Sequence, residues 1–267
     1  MRRTITGFSN PTVKSLRALR DKKHRRREGK FLAEGLRLLT DARESGRLPE
    51  MLVMADERDD HPLLSALIDD VEAAGGEIVE TAPDILSKIT GKDNPQAVIG
   101  VFEEFDTALA QIDRSAAPIW LVAQALRDPG NLGTMLRTGD AVGAGGLILI
   151  DDCADPFSAE AVRASMGAVF TQRIAQAPWD AFIAWLRTGE QAQLVAASLR
   201  DAVPYRGAAY RAPCFILVGN ESRGLPEEYE ASCDLRVTMP MRGRADSLNA
   251  AVAAAVLSYE VLATLES

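Results

Sequence analysis

The stretch IWLVAQALRDPGNLGTMLRTGDAVGAGGLILI, residues 119–150, decides the fold class. Residues 119–125 form a short, almost wholly apolar run, as a buried strand requires. Asp128-Pro129-Gly130 then turns the chain, and the helical period that follows predicts a helix capped by Asn131. Residues 147–150 are a second apolar strand. Downstream the alternation continues, with a helix through 159–168, strands at 194–197 and 215–218, and a helix over 247–264. Short buried strands separated by helices predict an α/β fold with a mostly parallel sheet covered on both faces.

Working upstream, residues 10–45 read as two helices. Asn10 supplies a cap and Pro11 the first helical position. Val13, Leu16 and Leu19 recur at helical spacing, a basic run over 22–27 breaks the pattern, and Phe31, Leu32, Leu36, Leu38 and Leu39 restart it. Strands are predicted at 51–54, 77–80 and 97–102, and a helix over 63–74 that ends at Gly75-Gly76. The expectation is therefore a small α/β domain over residues 1–105, a linker over 106–117 and a second domain over 118–267.

Charge is distributed unevenly. The chain carries a formal −8. Residues 1–40 nevertheless hold twelve Lys and Arg against three Asp and Glu, a net +9, which leaves −17 on the remainder. A basic arm on an acidic body is the asymmetry of a segment that meets phosphate, and Lys22, Lys23, Arg25, Arg26 and Arg27 are its densest part. A solvated basic helix face is the other reading of that run. No apolar run approaches the length of a membrane span, and MRRTITGFSN has no apolar stretch behind its arginines, which argues against a secretory signal. Cys153, Cys214 and Cys233 are far apart and read as buried small residues in a reducing cytoplasm.

Three loops follow apolar strands in the second half, and ligands in open α/β sheets gather at the carboxyl ends of strands. The first is residues 127–137, where a helix N-terminus and Arg137 suit an RNA phosphate. In the second, LVGNESRGLP over 217–226, Gly219 permits close backbone approach beside the exposed charges Glu221 and Arg223. The third, VTMPMRGRADSLN over 237–249, places Ser247 and Asn249 at the mouth of a long helix. No phosphate loop GxxxxGK[ST] exists. The nearest approach to GxGxxG, at 143–146, precedes a strand instead of a helix. With His24 and His61 as its only histidines, the chain has little with which to build a histidine triad or a His-based metal site.

DPGNLGTMLRTGDAVGAGGLILI, LVGNESRGLP and MPMRGRADSLNAAVAAAV resemble, in order and close to spacing, the three motifs of the SpoU/TrmH RNA 2′-O-ribose methyltransferases of the SPOUT superfamily. NPTVKSLRALRDKKHRRREGKFLAEG resembles that family's L30e-like substrate-binding domain. Ala251 stands where the family commonly has serine. The resemblance implies a trefoil-knotted methyltransferase domain with a parallel sheet, working as a homodimer with sites at the interface. It implies S-adenosylmethionine as cofactor and no metal. It also implies that Gly219, Met239 and Leu248 line the cofactor pocket, that Arg137 is the central catalytic residue, and that Asn131, Glu221, Ser247 and Asn249 shape the site. RASMG over 163–167 resembles a further family segment beside it.

An arginine guanidinium loses its proton only above about pH 12, so Arg137 is read as a cation that fixes the RNA phosphate and stabilises developing alkoxide charge. Phosphate or water is left as the proton acceptor. The activity expected is methylation of a ribose 2′-hydroxyl, of rRNA before tRNA. A non-catalytic RNA-binding assembly factor on the same fold is the alternative.

Overall fold

The computed structural model describes residues 1–56, 61–188, 191–220 and 222–267. The chain divides into two compact units, one of residues 1–105 with 157–171, the other of 106–156 with 172–267.

The first unit holds a five-stranded sheet. Its strands are β1 (Arg2–Ile5), β2 (Lys30–Glu34), β3 (Met51–Ala55), β4 (Glu77–Thr81) and β5 (Val98–Glu103), in the order β1-β4-β3-β5-β2. β3 lies parallel to β4 and antiparallel to β5, which in turn pairs antiparallel with β2. Helices α1 (Pro11–Ala18), α2 (Lys22–Glu28), α3 (Leu36–Glu44), α4 (Pro62–Ala73) and α5 (Pro83–Thr90) connect the strands. One face packs Val13, Leu16, Leu19, Ile85, Leu86 and Ile89 on Val53, Val79, Ile99 and Val101.

Three expectations change here. Residues 30–34 are a strand, not the start of a second helix, because Gly29 and Gly35 at φ 63° and 111° interrupt the chain on either side. Between them KFLAE pairs in register with β5. The basic run is likewise no break between helices but helix α2 itself, capped by Asp21, whose Oδ1 accepts from the amides of Lys23 (2.9 Å) and His24 (3.3 Å). Finally, residues 157–171, expected with the second domain, belong to the first unit. Their short helices α7 (Ala159–Ala164) and α8 (Ala168–Thr171) are accompanied by Phe157 and Phe170. The Phe157 ring lies 5.0 Å from Phe31, and the Phe170 ring 4.8 Å from Phe102. These aromatic contacts, set by side chains distant in sequence, override the segment's position in the chain.

The second unit is a seven-stranded sheet whose pairings are all parallel. Its strands are β6 (Ile119–Gln124), β7 (Gly146–Ile150), β8 (Arg173–Ala177), β9 (Gln193–Ala197), β10 (Val203–Pro204), β11 (Cys214–Val218) and β12 (Leu235–Thr238). The order is β10-β12-β9-β11-β6-β7-β8. β6, β7 and β11 are buried along their whole length, as strands covered on both faces must be. Helices α6 (Pro129–Ala141), α9 (Trp179–Leu186), α10 (Glu227–Ala231) and α11 (Ala250–Leu265) complete the unit. Trp120, Phe182 and Phe215, each fully buried, centre its core. Among the described residues no helix is long and apolar enough to cross a membrane.

Candidate active site

The site begins where β6 ends. Ala125 follows at φ 49°, and Asp128, not Asn131, caps α6: its Oδ1 accepts from the Asn131 amide at 2.6 Å. Pro129, with no amide hydrogen to orphan, takes the first helical position, so the helix starts three residues before Leu132, where its apolar period begins. The Asn131 side chain is thereby left for another partner. Its Oδ1 accepts from Asn249 Nδ2 at 2.9 Å. Asn249 is itself the cap of α11, its Oδ1 accepting from the amides of Ala251 (2.9 Å) and Val252 (3.3 Å). Arg137 is exposed on α6 and makes no hydrogen bond or ion pair with the described residues.

Beside this pair lies a cavity of about 330 Å³. Gly219, Met239, Ser247 and Leu248 line it, as does Ala250, so lining residues stand on either side of Asn249. Four residues singled out in the sequence thus surround one space, and two more meet at its rim. Glu221 lies outside the described residues. Ser247 is exposed and donates to Asp246 Oδ1 at 3.1 Å.

The loop after β11 is folded back on itself. A Cβ on Gly219 would stand 2.5 Å from the Gly224 carbonyl carbon and 2.6 Å from the Leu225 nitrogen, so only glycine fits there. Asn220, passed over in the sequence between Gly219 and Glu221, holds this fold. Its Nδ2 donates to the Ala125 carbonyl (2.9 Å), while its Oδ1 accepts from the amides of Ser222 (3.0 Å) and Arg223 (3.1 Å). An Asx turn of this kind is signalled by Asn ahead of Ser, but its tie to β6 is tertiary. Ser198, Arg200 and Glu230, also unforeseen, line the same cavity. Glu230 is 5 % exposed, and its Oε2 is buried without a hydrogen bond among the described residues.

Two sequence candidates stand elsewhere. Arg25 is 4 % exposed and donates to the carbonyls of Leu19 (2.8 Å) and Arg20 (2.9 Å), closing the end of α1. It is a structural clamp, not a phosphate contact. Lys23, Arg26 and Arg27 are exposed on α2 and Lys22 is half-buried. RASMG, over 163–167, belongs to the first unit, where Ser165 is fully buried. The thiols of Cys153 and Cys214 are buried and that of Cys233 is half-buried. Burial pushes them up to about 11, about 12 and about 12 in turn. Among the described residues no three His, Cys, Asp or Glu side chains gather as metal ligands would.

Residues 118–259 match the SpoU rRNA Methylase family. The chain belongs to that family. Residues 10–100 match the MRM3-like substrate binding domain. Over 257 residues, 96% of this chain and 98% of the other, the protein is 30% identical to the 23S rRNA (guanosine(2553)-2'-O)-methyltransferase RlmP of Bacillus subtilis. An AdoMet-bound rRNA methyltransferase from Sinorhizobium meliloti is similar at 40% identity and a TM-score of 0.91, covering 100% of this chain and 99% of that one. The SpoU methyltransferase AviRb from Streptomyces viridochromogenes, in complex with AdoMet, is similar at 28% identity and a TM-score of 0.88, covering 97% and 99%.

Proposed function

We propose that this protein transfers a methyl group from S-adenosylmethionine to a ribose 2′-hydroxyl of rRNA. The observation that carries this reading is the cavity bounded by Gly219, Met239 and Leu248 with the Asn131–Asn249 pair at its rim. Its volume, about 330 Å³, suits a ligand of nucleoside size. The tight turn at Gly219 and the buried Glu230 Oε2, which receives no hydrogen bond among the described residues, both fit a polar ligand held close to backbone. When bound, the cofactor supplies a sulfonium whose methyl group is already electrophilic.

The protein's own part is alignment, and positioning of this kind is worth about 7–11 kcal/mol of barrier. Gly219, Met239 and Leu248 hold the cofactor side. Asn131 and Asn249 fix the α6 and α11 N-termini against each other, and Ser247 lines the cavity beside them. Arg137, a cation with no competing partner among the described residues, binds the phosphate beside the target ribose and stabilises the alkoxide as its proton leaves to phosphate or water. Exposed Lys23, Arg26 and Arg27, with half-buried Lys22, draw RNA to the first unit. The knot and homodimer implied by the motifs are part of this reading. Support for the dimer comes from α11, which leaves Val252 and Tyr259 at 48% and 55% exposure although its opposite face is already buried. Three free thiols fit a reducing cytoplasm.

Calorimetry with S-adenosylhomocysteine in chelator, on wild type and Arg137→Ala, tests the division of labour. Both proteins are expected to bind within tenfold of each other while the variant loses methyl transfer. A variant that binds much more weakly, or still methylates, overturns the division.

A further inference from the structure

Glu230 is the one feature of the cavity that its motif residues do not explain. Its carboxylate lies almost wholly out of water, a costly position for an ionised group unless every lone pair finds a donor. Oε1 is satisfied by the Ser198 hydroxyl at 2.7 Å, and Ser198 Oγ in turn accepts from the Arg200 amide at 2.9 Å. Oε2 faces Arg200 Nη1 at 3.4 Å, an ion pair whose arginine side chain is 53% exposed, yet it receives no hydrogen bond among the described residues. The charge is thus compensated while an acceptor site stays open.

The carboxylate is also held still. Its neighbour Tyr229 stacks on Trp179, with ring centroids 3.9 Å apart and planes 7° from parallel. The Tyr229 hydroxyl donates to Asp151 Oδ2 at 3.0 Å, and that oxygen also accepts from Gln124 Nε2 at 3.0 Å. Burial and the Asp151 bond push the Tyr229 hydroxyl up to about 12, so it remains a donor. The short helix α10 is pinned to the ends of β6 and β7, so Glu230 is fixed in the cavity wall before any ligand arrives.

An ionised carboxylate only accepts, so the group it meets must be a donor. An adenosyl amino acid offers three kinds: the ammonium, the adenine amine and the ribose hydroxyls. Arg200 already supplies the positive charge, which disfavours a second cation at Oε2. A fixed carboxylate at the end of a parallel sheet is well suited to ribose hydroxyls, as in dinucleotide sites. We propose that Glu230, oriented by Ser198, is the acceptor for the ribose diol of the bound adenosyl ligand. This rests on the cofactor reading above and adds a residue to it.

The test compares 5′-methylthioadenosine with its 2′-deoxy and 3′-deoxy counterparts, and with S-adenosylhomocysteine, by calorimetry on wild type, Glu230→Gln and Glu230→Leu. Wild type is expected to lose roughly tenfold or more in affinity when the contacted hydroxyl is removed. The Glu230 variants are expected to lose a similar factor toward 5′-methylthioadenosine but almost nothing further toward that deoxy ligand. Equal wild-type affinity for ribo and both deoxy ligands overturns the proposal, and this needs no variant to fold. Equal losses by a variant toward all ligands assign Glu230 a structural role and overturn it as well. Weakening confined to S-adenosylhomocysteine places the carboxylate on the ammonium, again against it. If wild type binds none of the four probes, the cofactor reading fails, and the diol assignment falls with it.

Discussion

The Asn249 side-chain amide donates a 2.9 Å hydrogen bond to Asn131 Oδ1, joining positions 118 residues apart at the start of two helices. Each asparagine follows a different strand and loop, and the bond fixes α11 against α6 at the cavity rim. Because Asn249 also caps α11 through two amides, it carries more of this arrangement than Asn131.

That asymmetry is measurable by urea denaturation. Asn249→Ala is expected to destabilise the protein by about 1–2 kcal/mol, the usual loss of a helix cap, and Asn131→Ala by roughly 1 kcal/mol or less. The double variant should fall short of the sum by about 0.5 kcal/mol or more, since both single changes break one shared bond. Strict additivity contradicts the pairing.

At Gly219 the prediction concerns binding. A methyl group there meets the backbone of Gly224 and Leu225 within 2.6 Å, so Gly219→Ala must open the loop. S-adenosylhomocysteine affinity is expected to drop by at least about tenfold, equal to 1.4 kcal/mol, with a native circular dichroism spectrum. Unchanged affinity means that the tight turn does not shape the pocket.

The strand-loop-helix alternation was legible because β6, β7 and β11 are continuous apolar runs, a signal that depends on local composition alone. KFLAE was not, since its five residues fit either period and only pairing with β5 decides for a strand. Asp128 was hidden behind Asn131 because both residue types cap helices; the proline at 129 was the sign to weigh. Gly219, Met239, Ser247 and Leu248 came out of motif position, and the cavity gathers them. Asn220, Ser198 and Glu230 gave no such sign, as their roles depend on partners 95, 32 and 32 residues away. Arg25 looked like its basic neighbours, and helix phase alone turns it inward.

The basic helix should therefore act through four cations. Replacing Lys22, Lys23, Arg26 and Arg27 by alanine is expected to weaken RNA binding and to flatten its dependence on log salt by roughly two to four units. Arg25→Ala should instead lower stability, because the Leu19 and Arg20 carbonyls just after α1 lose a charged donor. Filter binding across a salt series, with thermal melts of both variants, checks the split. A melt for Arg25→Ala equal to wild type, or an unchanged slope for the fourfold variant, contradicts it.

Thiol chemistry follows from burial. With Cys153, Cys214 and Cys233 raised to about 11, about 12 and about 12, little thiolate forms at pH 8 in the folded protein. Iodoacetamide at that pH is expected to label none of them quickly, and all three once urea unfolds the chain. Prompt native labelling of Cys153 or Cys214 means that the sheet opens more readily than its packing implies.

Ribose methylation is read directly by nucleoside mass spectrometry. rRNA transcripts are incubated with the protein and S-adenosylmethionine, digested completely, and analysed beside an Arg137→Ala reaction. One added 2′-O-methylnucleoside is expected with wild type and none with the variant. A methylated base, or no methylation by a protein that binds both cofactor and RNA, contradicts it.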